Sequence, residues 1–191
     1  VSRGLGDVYK RQILEREVPP TEKNIETSKK GQYRIKDNFL AFWFRFVYPM
    51  RSFIESDHPE IAMTKLKTGF IPNHVGYVYE DICRQKMWEL NAQGKLPFLF
   101  DRVGRWWGGK DTEIDIVAID TTDRSKIIFG ECKFHQNVPM QLSELHQLKE
   151  KAAVVPWGNA NRDEYFALFC ISGYSEDLQQ LAQEDSHLLL M

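Results

Sequence analysis

The sequence lacks the features that mark several large classes of protein. No apolar run reaches the roughly 18 residues of a transmembrane helix, and the richest apolar stretch, residues 39–48, is interrupted by Arg45. The three cysteines, Cys83, Cys132 and Cys170, lie far apart, are odd in number and have no metal-ligand spacing. We therefore expect a protein without a membrane span, with reduced thiols and a cytoplasmic location.

An excess of charge of one sign is also lacking. The 25 Lys and Arg residues nearly balance the 27 Asp and Glu residues, which leaves a formal net charge of −2. A strongly positive net charge indicates nucleic-acid binding, and this chain has no such charge. Any contact with DNA must therefore come from a local patch. The histidines show no spacing that indicates zinc, and no internal repeat or low-complexity tract is present.

Two short charged strings inside apolar strands carry most of the functional information. They are Glu113–Val117 (EIDIV) and Glu131–Lys133 (ECK), the latter at the end of Ile127–Gly130 (IIFG). Buried charges need a partner or a metal. Because successive residues of a strand point to opposite faces, Glu131 and Lys133 are predicted to share one face and Cys132 the other.

Asp115, at the end of the neighbouring strand, is placed to meet this face. Two carboxylates and one ammonium on adjacent strands can hold a divalent cation and polarise a water, as in metal-dependent phosphodiester hydrolysis. A salt-bridged group without metal would give the same sequence pattern, so both interpretations stay open.

Residues 1–12 are set aside from the fold prediction. Asp7–Gln12 (DVYKRQ) resembles the translated end of a sequencing adapter, which would make these residues non-biological and leave the natural N-terminal part missing. A natural basic N-terminus is the alternative.

Residues 13–36 are predicted to form a β-hairpin, with strands Ile13–Val18 and Gln32–Ile35 and a charged tip. Such a hairpin suits the wing that remains of a winged helix, and a solvated loop is the alternative for its tip. Residues 37–70 are predicted to be a helical linker. Asp37 begins its first helix, which ends at Pro49, and a second helix covers Ser52–Thr68 before a break at Gly69–Pro72.

Residues 71–191 are predicted to form one α/β domain. The elements read from the sequence are a helix over His74–Leu90, a strand over Leu96–Phe100, the two motif strands, a helix over Leu142–Val155, a strand over Tyr165–Ile171, a helix after Ser175 and a strand over His187–Met191. A strand–helix–strand passage implies a parallel crossover, so we expect a mixed sheet flanked by helices.

This order resembles the restriction-endonuclease-like, or PD-(D/E)xK, nuclease fold. The positions that match its motif are Glu80 on the first helix, Asp115 on one strand, and Glu131 and Lys133 on the next. The proline that usually precedes the aspartate is absent, and Ile114 stands there.

The resemblance implies a role for each matching residue. Asp115 and Glu131 would bind Mg²⁺ or Mn²⁺, with the backbone carbonyl of Cys132 as a further ligand. Lys133 would stabilise the negative charge that develops on the scissile phosphate. Glu80 would extend from the first helix into the site, directly or through water.

Other residues are weaker candidates for the site. A polar residue on the helix after the motif often joins such a site, and Gln141, Glu144 and Gln147 are available. Trp106 and Trp107 would either stack on bases or cover the sheet edge.

A closer resemblance covers nearly everything after residue 12. Tyr33–Leu40 and Phe42–Val47 look like the linker after the winged helix in archaeal-type ATPases of prokaryotes. Gly76–Glu80, Arg105–Gly108 and Gly130–Phe134 look like their C-terminal domain, catalogued as domain of unknown function 234. This family is expected to carry an N-terminal P-loop ATPase module.

The chain has no Gly-x-x-x-x-Gly-Lys-Ser/Thr string, so ATP is expected to bind only in the missing N-terminal part. The resemblance implies DNA as a partner, no membrane association, and homo-oligomers formed through the missing ATPase module.

Two functions are therefore expected from the sequence. The first is a metal-dependent DNA endonuclease-like effector domain of an ATPase. The alternative is a catalytically inactive regulatory or interaction domain of a nucleotide-switched, DNA-binding ATPase.

Overall fold

The computed structural model describes residues 13–108, 112–159 and 161–191. The expectation for residues 1–12 lies outside this part of the chain. The chain divides into two compact units. The first contains the residues up to Glu17 and Gly31–Val78, and the second contains Val18–Lys30 and Tyr79–Met191. Within the described residues, no helix combines the length and apolar character required to cross a bilayer.

The first unit begins with two short antiparallel strands. Strand β1 is Leu14–Glu17 and strand β2 is Gln32–Ile35. Arg34 of β2 forms ion pairs with Glu15 at 3.1 Å and with Glu17 at 3.0 Å. Both strands lie where the alternation of the sequence predicted them.

The rest of this unit is helical. In chain order its elements are α1 (Asn38–Phe42), a π-helical turn (Trp43–Val47), a 3₁₀ turn (Tyr48–Met50), α2 (Arg51–Glu55), α3 (Pro59–Phe70) and a second π-helical turn (Ile71–Val75), which leads into α4 (Gly76–Ala92). Asp37 begins α1 as predicted, because its Oδ1 accepts the Leu40 N–H at 2.8 Å.

The helix boundaries differ from the prediction at three points. The first helix was expected to end at Pro49, but α1 ends at Phe42, and Pro49 lies inside the 3₁₀ turn that leads into α2. The single helix expected over Ser52–Thr68 is two helices, because Asp57 adopts a left-handed backbone with φ of 63° and interrupts them. The break expected at Gly69–Pro72 is partly confirmed: α3 ends at Phe70, but the chain stays helical through the turn Ile71–Val75. Proline removes an i to i−4 hydrogen bond, but the chain passes through a wider turn instead of ending. In that turn the Gly76 N–H donates to Ile71 O, five residues back.

Aromatic rings pack this helical unit. The rings of Phe42, Phe46, Phe70 and His74 have centroids between 5.5 and 6.2 Å apart. None of the helices and turns between Asn38 and Val75 contains a fully buried residue. These side chains therefore remain partly open to solvent.

The second unit is built on a five-stranded mixed sheet in the order β3-β4-β5-β6-β7. The strands are β3 (Arg102–Gly108), β4 (Thr112–Ile119), β5 (Lys126–Lys133), β6 (Asp163–Cys170) and β7 (Leu188–Leu190). The pairings of β3 with β4 and β4 with β5 are antiparallel, and the remaining two are parallel. Helix α5 (Leu142–Ala152) connects β5 to β6, and α6 (Glu176–Glu184) connects β6 to β7. The mixed α/β architecture with parallel crossovers is thus confirmed.

Apolar side chains cover both faces of this sheet. On one face Ile119 and Phe129 pack with Leu145 and Leu148 of α5. On the other face a second buried cluster joins Cys83 and Met87 of α4 to Ile116, Ala118, Ile128 and Cys132 of the central strands. A strand that is buried on both faces reads as a nearly continuous apolar run, which explains IIFG in β5.

The strand predicted over Leu96–Phe100 is wrong, because the first strand of the sheet is Arg102–Gly108. Asn91 at the end of α4 explains the difference. Its side-chain amide donates to Phe100 O at 3.0 Å and its oxygen accepts the Phe100 N–H at 3.0 Å. The backbone groups of Phe100 that a sheet neighbour would use are therefore already occupied.

The outer side of β3 is covered by the segment Val18–Lys30. The Trp106 indole N–H donates to Thr21 Oγ1 at 3.1 Å, and Arg102 Nη1 donates to Glu22 O at 2.8 Å. Trp106 is buried in the sheet core, so it serves packing rather than base stacking.

Candidate active site

Asp115 lies in a β-bulge. Gly104 of β3 pairs with Val117 of β4 and Trp106 pairs with Ile114, so β4 has one residue more than β3 between the two pairs. Although Ile114 and Val117 are three residues apart, both lie in the core on the α5 side of the sheet. A bulge of this kind shifts the alternation of a strand and re-aims a side chain.

The bulge brings Asp115 to the end of β5. The β4–β5 ladder ends at the pair Ile116–Gly130, and the Cys132 N–H donates to Asp115 Oδ2 at 2.8 Å. Burial and the nearby Glu131 carboxylate raise the pKa of Asp115 to about 6, against the opposing effect of the Cys132 hydrogen bond.

Glu131 is buried between two ammonium groups. Its Oε1 lies 2.6 Å from Lys133 Nζ, and its Oε2 lies 3.1 Å from Lys151 Nζ. The Glu131 side chain is 7% exposed, while the two lysines are 29% and 32% exposed and reach solvent. Burial alone would lower the pKa of Lys133, but the Glu131 carboxylate outweighs burial and raises it. Lys133 therefore keeps its positive charge at neutral pH.

Glu131 and Lys133 share one face of β5, as the alternation predicted. Cys132 points to the opposite face and packs with Cys83 in the core beneath α4. All three cysteines are buried free thiols.

Glu80 approaches the same strands from α4. Its Oε2 lies 3.7 Å from Arg84 Nη1 and is buried without a hydrogen-bond donor within the described residues. Burial and then repulsion by Asp115 raise the pKa of Glu80 to about 8, although Arg84 and Arg105 act in the opposite direction. Arg84 also donates to Asp115 O at 3.1 Å and so ties the helix to the bulge.

The structure thus places Asp115 where the charges of Glu131 and Lys133 affect it, and Glu80 interacts with this pair only through its repulsion by Asp115. Of the candidates on α5, Glu144 accepts the Gln141 N–H at 3.0 Å and caps the helix, while Gln147 is exposed. The sequence reasoning missed Lys151, which lies one helical turn after Gln147, and Arg84, which lies one turn after Glu80. Spacing of four residues along a helix was the available signal for both.

Two carboxylates and a backbone carbonyl lie near the end of β5 and offer oxygen atoms, the ligand type of hard divalent cations. Mg²⁺ is usually held by one or two carboxylates and several waters, which matches Asp115, Glu131 and the Cys132 carbonyl. Burial, and after it repulsion between neighbouring carboxylates, raises the pKa values of Glu80 and Asp115. Within the described residues, no group of three or more Asp, Glu, His or Cys side chains is assembled as a metal site.

The raised pKa of Glu80 predicts a pH-dependent stability. Its pKa is about 8 in the folded protein against an ordinary 4.5, so the folded state binds this proton more tightly than the unfolded chain does. The stabilisation is complete below about pH 4.5 and disappears as the pH rises through about 8. We expect the free energy of unfolding, measured by urea denaturation with a chelator present, to fall by about 2–4 kcal/mol over this range.

In Glu80→Gln, the decrease in the free energy of unfolding with rising pH should be smaller and limited to the contribution of Asp115. Glu150→Gln, at an exposed position of α5, is the matched control and should keep the wild-type profile. A Glu80→Gln profile as steep as that of the wild type would contradict the prediction.

Residues 43–152 match a family described as archaeal and bacterial proteins of unknown function, domain of unknown function 234. The chain belongs to this family. The matched range contains Glu80, Asp115, Glu131, Lys133 and Lys151. The predicted membership of the domain of unknown function 234 family is therefore confirmed.

The chain is also similar to a curated protein. An uncharacterized protein of Methanocaldococcus jannaschii is 34% identical over 165 residues, which cover 86% of this chain and 36% of the relative. The chain thus spans about a third of the length of the curated relative that it matches. No solved structure matches the chain.

Proposed function

We propose that this member of the domain of unknown function 234 family is a metal-dependent phosphodiester hydrolase that acts on DNA. One observation carries the proposal: the β4 bulge places the Asp115 carboxylate against the end of β5, where it accepts the Cys132 N–H beside Glu131 and Lys133. Acidic groups from two neighbouring strands with an adjacent ammonium are the parts that such hydrolysis needs.

Each side chain has a defined task in this proposal. Asp115 and Glu131, with the Cys132 carbonyl, would hold Mg²⁺ or Mn²⁺, which supplies Lewis-acid polarisation of the phosphate and a lowered pKa for water. Lys133 places a permanent positive charge where negative charge develops on the scissile phosphate. Lys151 keeps the Glu131 carboxylate oriented through its other oxygen, and Glu80 adds a proton-binding group from α4.

The wider architecture is part of the same proposal. Residues 71–191 would be a PD-(D/E)xK-type domain, residues 13–36 the wing of a winged helix, and residues 37–70 the helical linker between them. In the whole protein, a P-loop ATPase module would bind ATP and form homo-oligomers. The greater length of the M. jannaschii relative leaves room for such a module.

The decisive experiment measures cleavage of supercoiled plasmid DNA and metal binding on the same preparations. Nicked and linear products should form with Mg²⁺ or Mn²⁺, and not with a chelator. Calorimetry should detect Mn²⁺ binding to the wild type. Asp115→Asn and Glu131→Gln should lose cleavage and weaken Mn²⁺ binding at least about tenfold, as expected for ligands. An unchanged cleavage rate in Asp115→Asn, or cleavage in the chelator, would contradict the proposal.

A non-catalytic interaction domain is the second candidate function. It is favoured by the two ammonium groups that already neutralise Glu131. It is also favoured by large exposed aromatic side chains in the first unit, Phe39, Phe44 and Tyr48, which are 65%, 50% and 53% exposed. Patches of this kind often mark protein interaction sites. Absence of Mn²⁺ binding in a well-folded preparation would favour this candidate over the hydrolase.

A further inference from the structure

An aromatic ring and a guanidinium group lie together on β3, beside the bulge. The Arg105 Cζ atom lies 5.5 Å from the centroid of the Trp107 ring, and Arg105 Nη1 lies 2.9 Å from Glu113 Oε1. Trp107 pairs with Glu113 across β3 and β4. Unlike the buried Trp106, Trp107 is only partly buried, so part of this residue is accessible to solvent.

This group faces the α4 side of the sheet. Trp106 and Ile114 are opposite each other and pack in the core on the α5 side. Because neighbouring residues of a strand point to opposite faces, Trp107 and Glu113 point to the other side. Arg105 is two residues before Trp107 on β3 and so points to the same side of the sheet. The Trp107 ring therefore lies on the α4 side of the sheet, and Glu113, its pair on β4, is two residues from Asp115.

The charges around the site do not favour an intact double helix. Among the residues that the structure describes, four cationic side chains lie near it, and each contacts a carboxylate: Arg84, Arg105, Lys133 and Lys151. Five carboxylates from the described part of the chain accompany them: Glu80, Asp81, Glu113, Asp115 and Glu131. Binding to duplex DNA depends mainly on cations that neutralise phosphates. With this balance, the electrostatic contribution to duplex binding is small.

Stacking supplies affinity that does not depend on net charge. A base stacked on an aromatic side chain contributes about 1–3 kcal/mol, and every base offers a face for it. A base can reach such a ring only when it is unpaired. A guanidinium group against the ring holds the indole in place through a cation–π contact. Arg105 is itself held by Glu113, so the ring orientation is fixed before the strand binds.

We propose that Trp107 stacks an unpaired nucleobase beside the bulge that carries Asp115, so that the substrate is a single-stranded segment rather than an intact duplex. This inference rests on the proposed hydrolase function for its connection to cleavage. The nucleobase face is common to DNA and RNA, and the 2′-hydroxyl distinguishes them.

The test measures strand binding without metal. Fluorescence anisotropy with a chelator present would compare a labelled single-stranded DNA, the RNA of the same sequence and the matching DNA duplex. We expect the single strand to bind about tenfold or more tightly than the duplex. Trp107→Leu should weaken single-strand binding by about 5- to 150-fold, the range that corresponds to one stacked base. Trp107→Phe should restore a large part of the loss, and duplex binding should not change.

Trp43→Leu is the matched control, because Trp43 is 40% exposed in the other unit. It should bind the single strand like the wild type. Equal binding of the RNA strand would support the inference, because the stacked group is shared. Equal affinity for duplex and single strand, or wild-type binding by a folded Trp107→Leu, would overturn it.

Because binding is measured without metal, the two proposals fail separately. Loss of the Trp107 effect with intact metal-dependent cleavage overturns the stacking inference alone. Trp107-dependent strand binding without any metal-dependent cleavage overturns the hydrolase alone.

Discussion

Replacement of Lys133 by alanine is expected to reduce metal-dependent DNA cleavage by about 10²- to 10³-fold. Its ammonium group lies 2.6 Å from Glu131, is partly exposed, and keeps its charge because the carboxylate raises its pKa. Loss of one charge that is positioned to stabilise the transition state has this magnitude in other hydrolases. The effect should appear in kcat, measured by single-turnover cleavage of a labelled DNA, with little change in KM.

Two matched variants separate this role from general loss of positive charge. Lys151→Ala removes the second ammonium from Glu131 and should cost less, about tenfold, because it acts only through the carboxylate. Lys149→Ala, at an exposed position two residues earlier on α5, should cleave like the wild type. Equal rates for Lys133→Ala and Lys149→Ala would show that Lys133 has no part in the reaction.

Replacement of Arg162 by methionine is expected to lower the free energy of unfolding by about 3–5 kcal/mol. The Arg162 side chain is only 9% exposed and pairs with Glu164 at 2.8 Å. Its Nη1 donates to Val155 O and Trp157 O at 2.6 Å, and its Nη2 donates to Ala152 O at 3.0 Å. Without the guanidinium group these carbonyls at the end of α5 lose their donors while they remain largely buried.

Urea denaturation would measure this loss. Arg162→Lys should recover only part of the stability, because one ammonium cannot reproduce the planar fork of donors. Arg124→Met is the control, since Arg124 is exposed and its guanidinium stacks on the Trp157 ring at 4.3 Å. Arg124→Met should lower the free energy of unfolding by no more than about 1 kcal/mol. An Arg162→Met protein within about 1 kcal/mol of the wild type would contradict the structural account.

The sequence predicted correctly those features that depend on one residue and its near neighbours in the chain. Asp37 and Ser175 begin helices because their side chains accept the backbone N–H groups of Leu40 and Leu178. The period of two placed Glu131 and Lys133 on one face of β5, opposite Cys132. Each of these predictions depends only on residues within a few positions of one another, so no knowledge of the tertiary structure was needed.

Prediction failed where distant residues compete for the same backbone groups. Leu96–Phe100 has the composition of a strand, but the Asn91 side chain takes the N–H and the carbonyl of Phe100. The strand instead forms over Arg102–Gly108, where β4 supplies a partner. Strand propensity measures how well a segment fits a sheet and does not specify which segment the sheet receives.

The sequence by itself determined the mixed α/β class, the family, and a short set of charged residues that interrupt apolar strands. Only the tertiary structure decided how these residues meet. The extra residue of β4 turns Asp115 toward β5, α4 adds Glu80 and Arg84, and α5 adds Lys151. The contacts between these residues depend on strand register and on helix packing between segments far apart in the chain. Periodicity within one segment predicts neither of them.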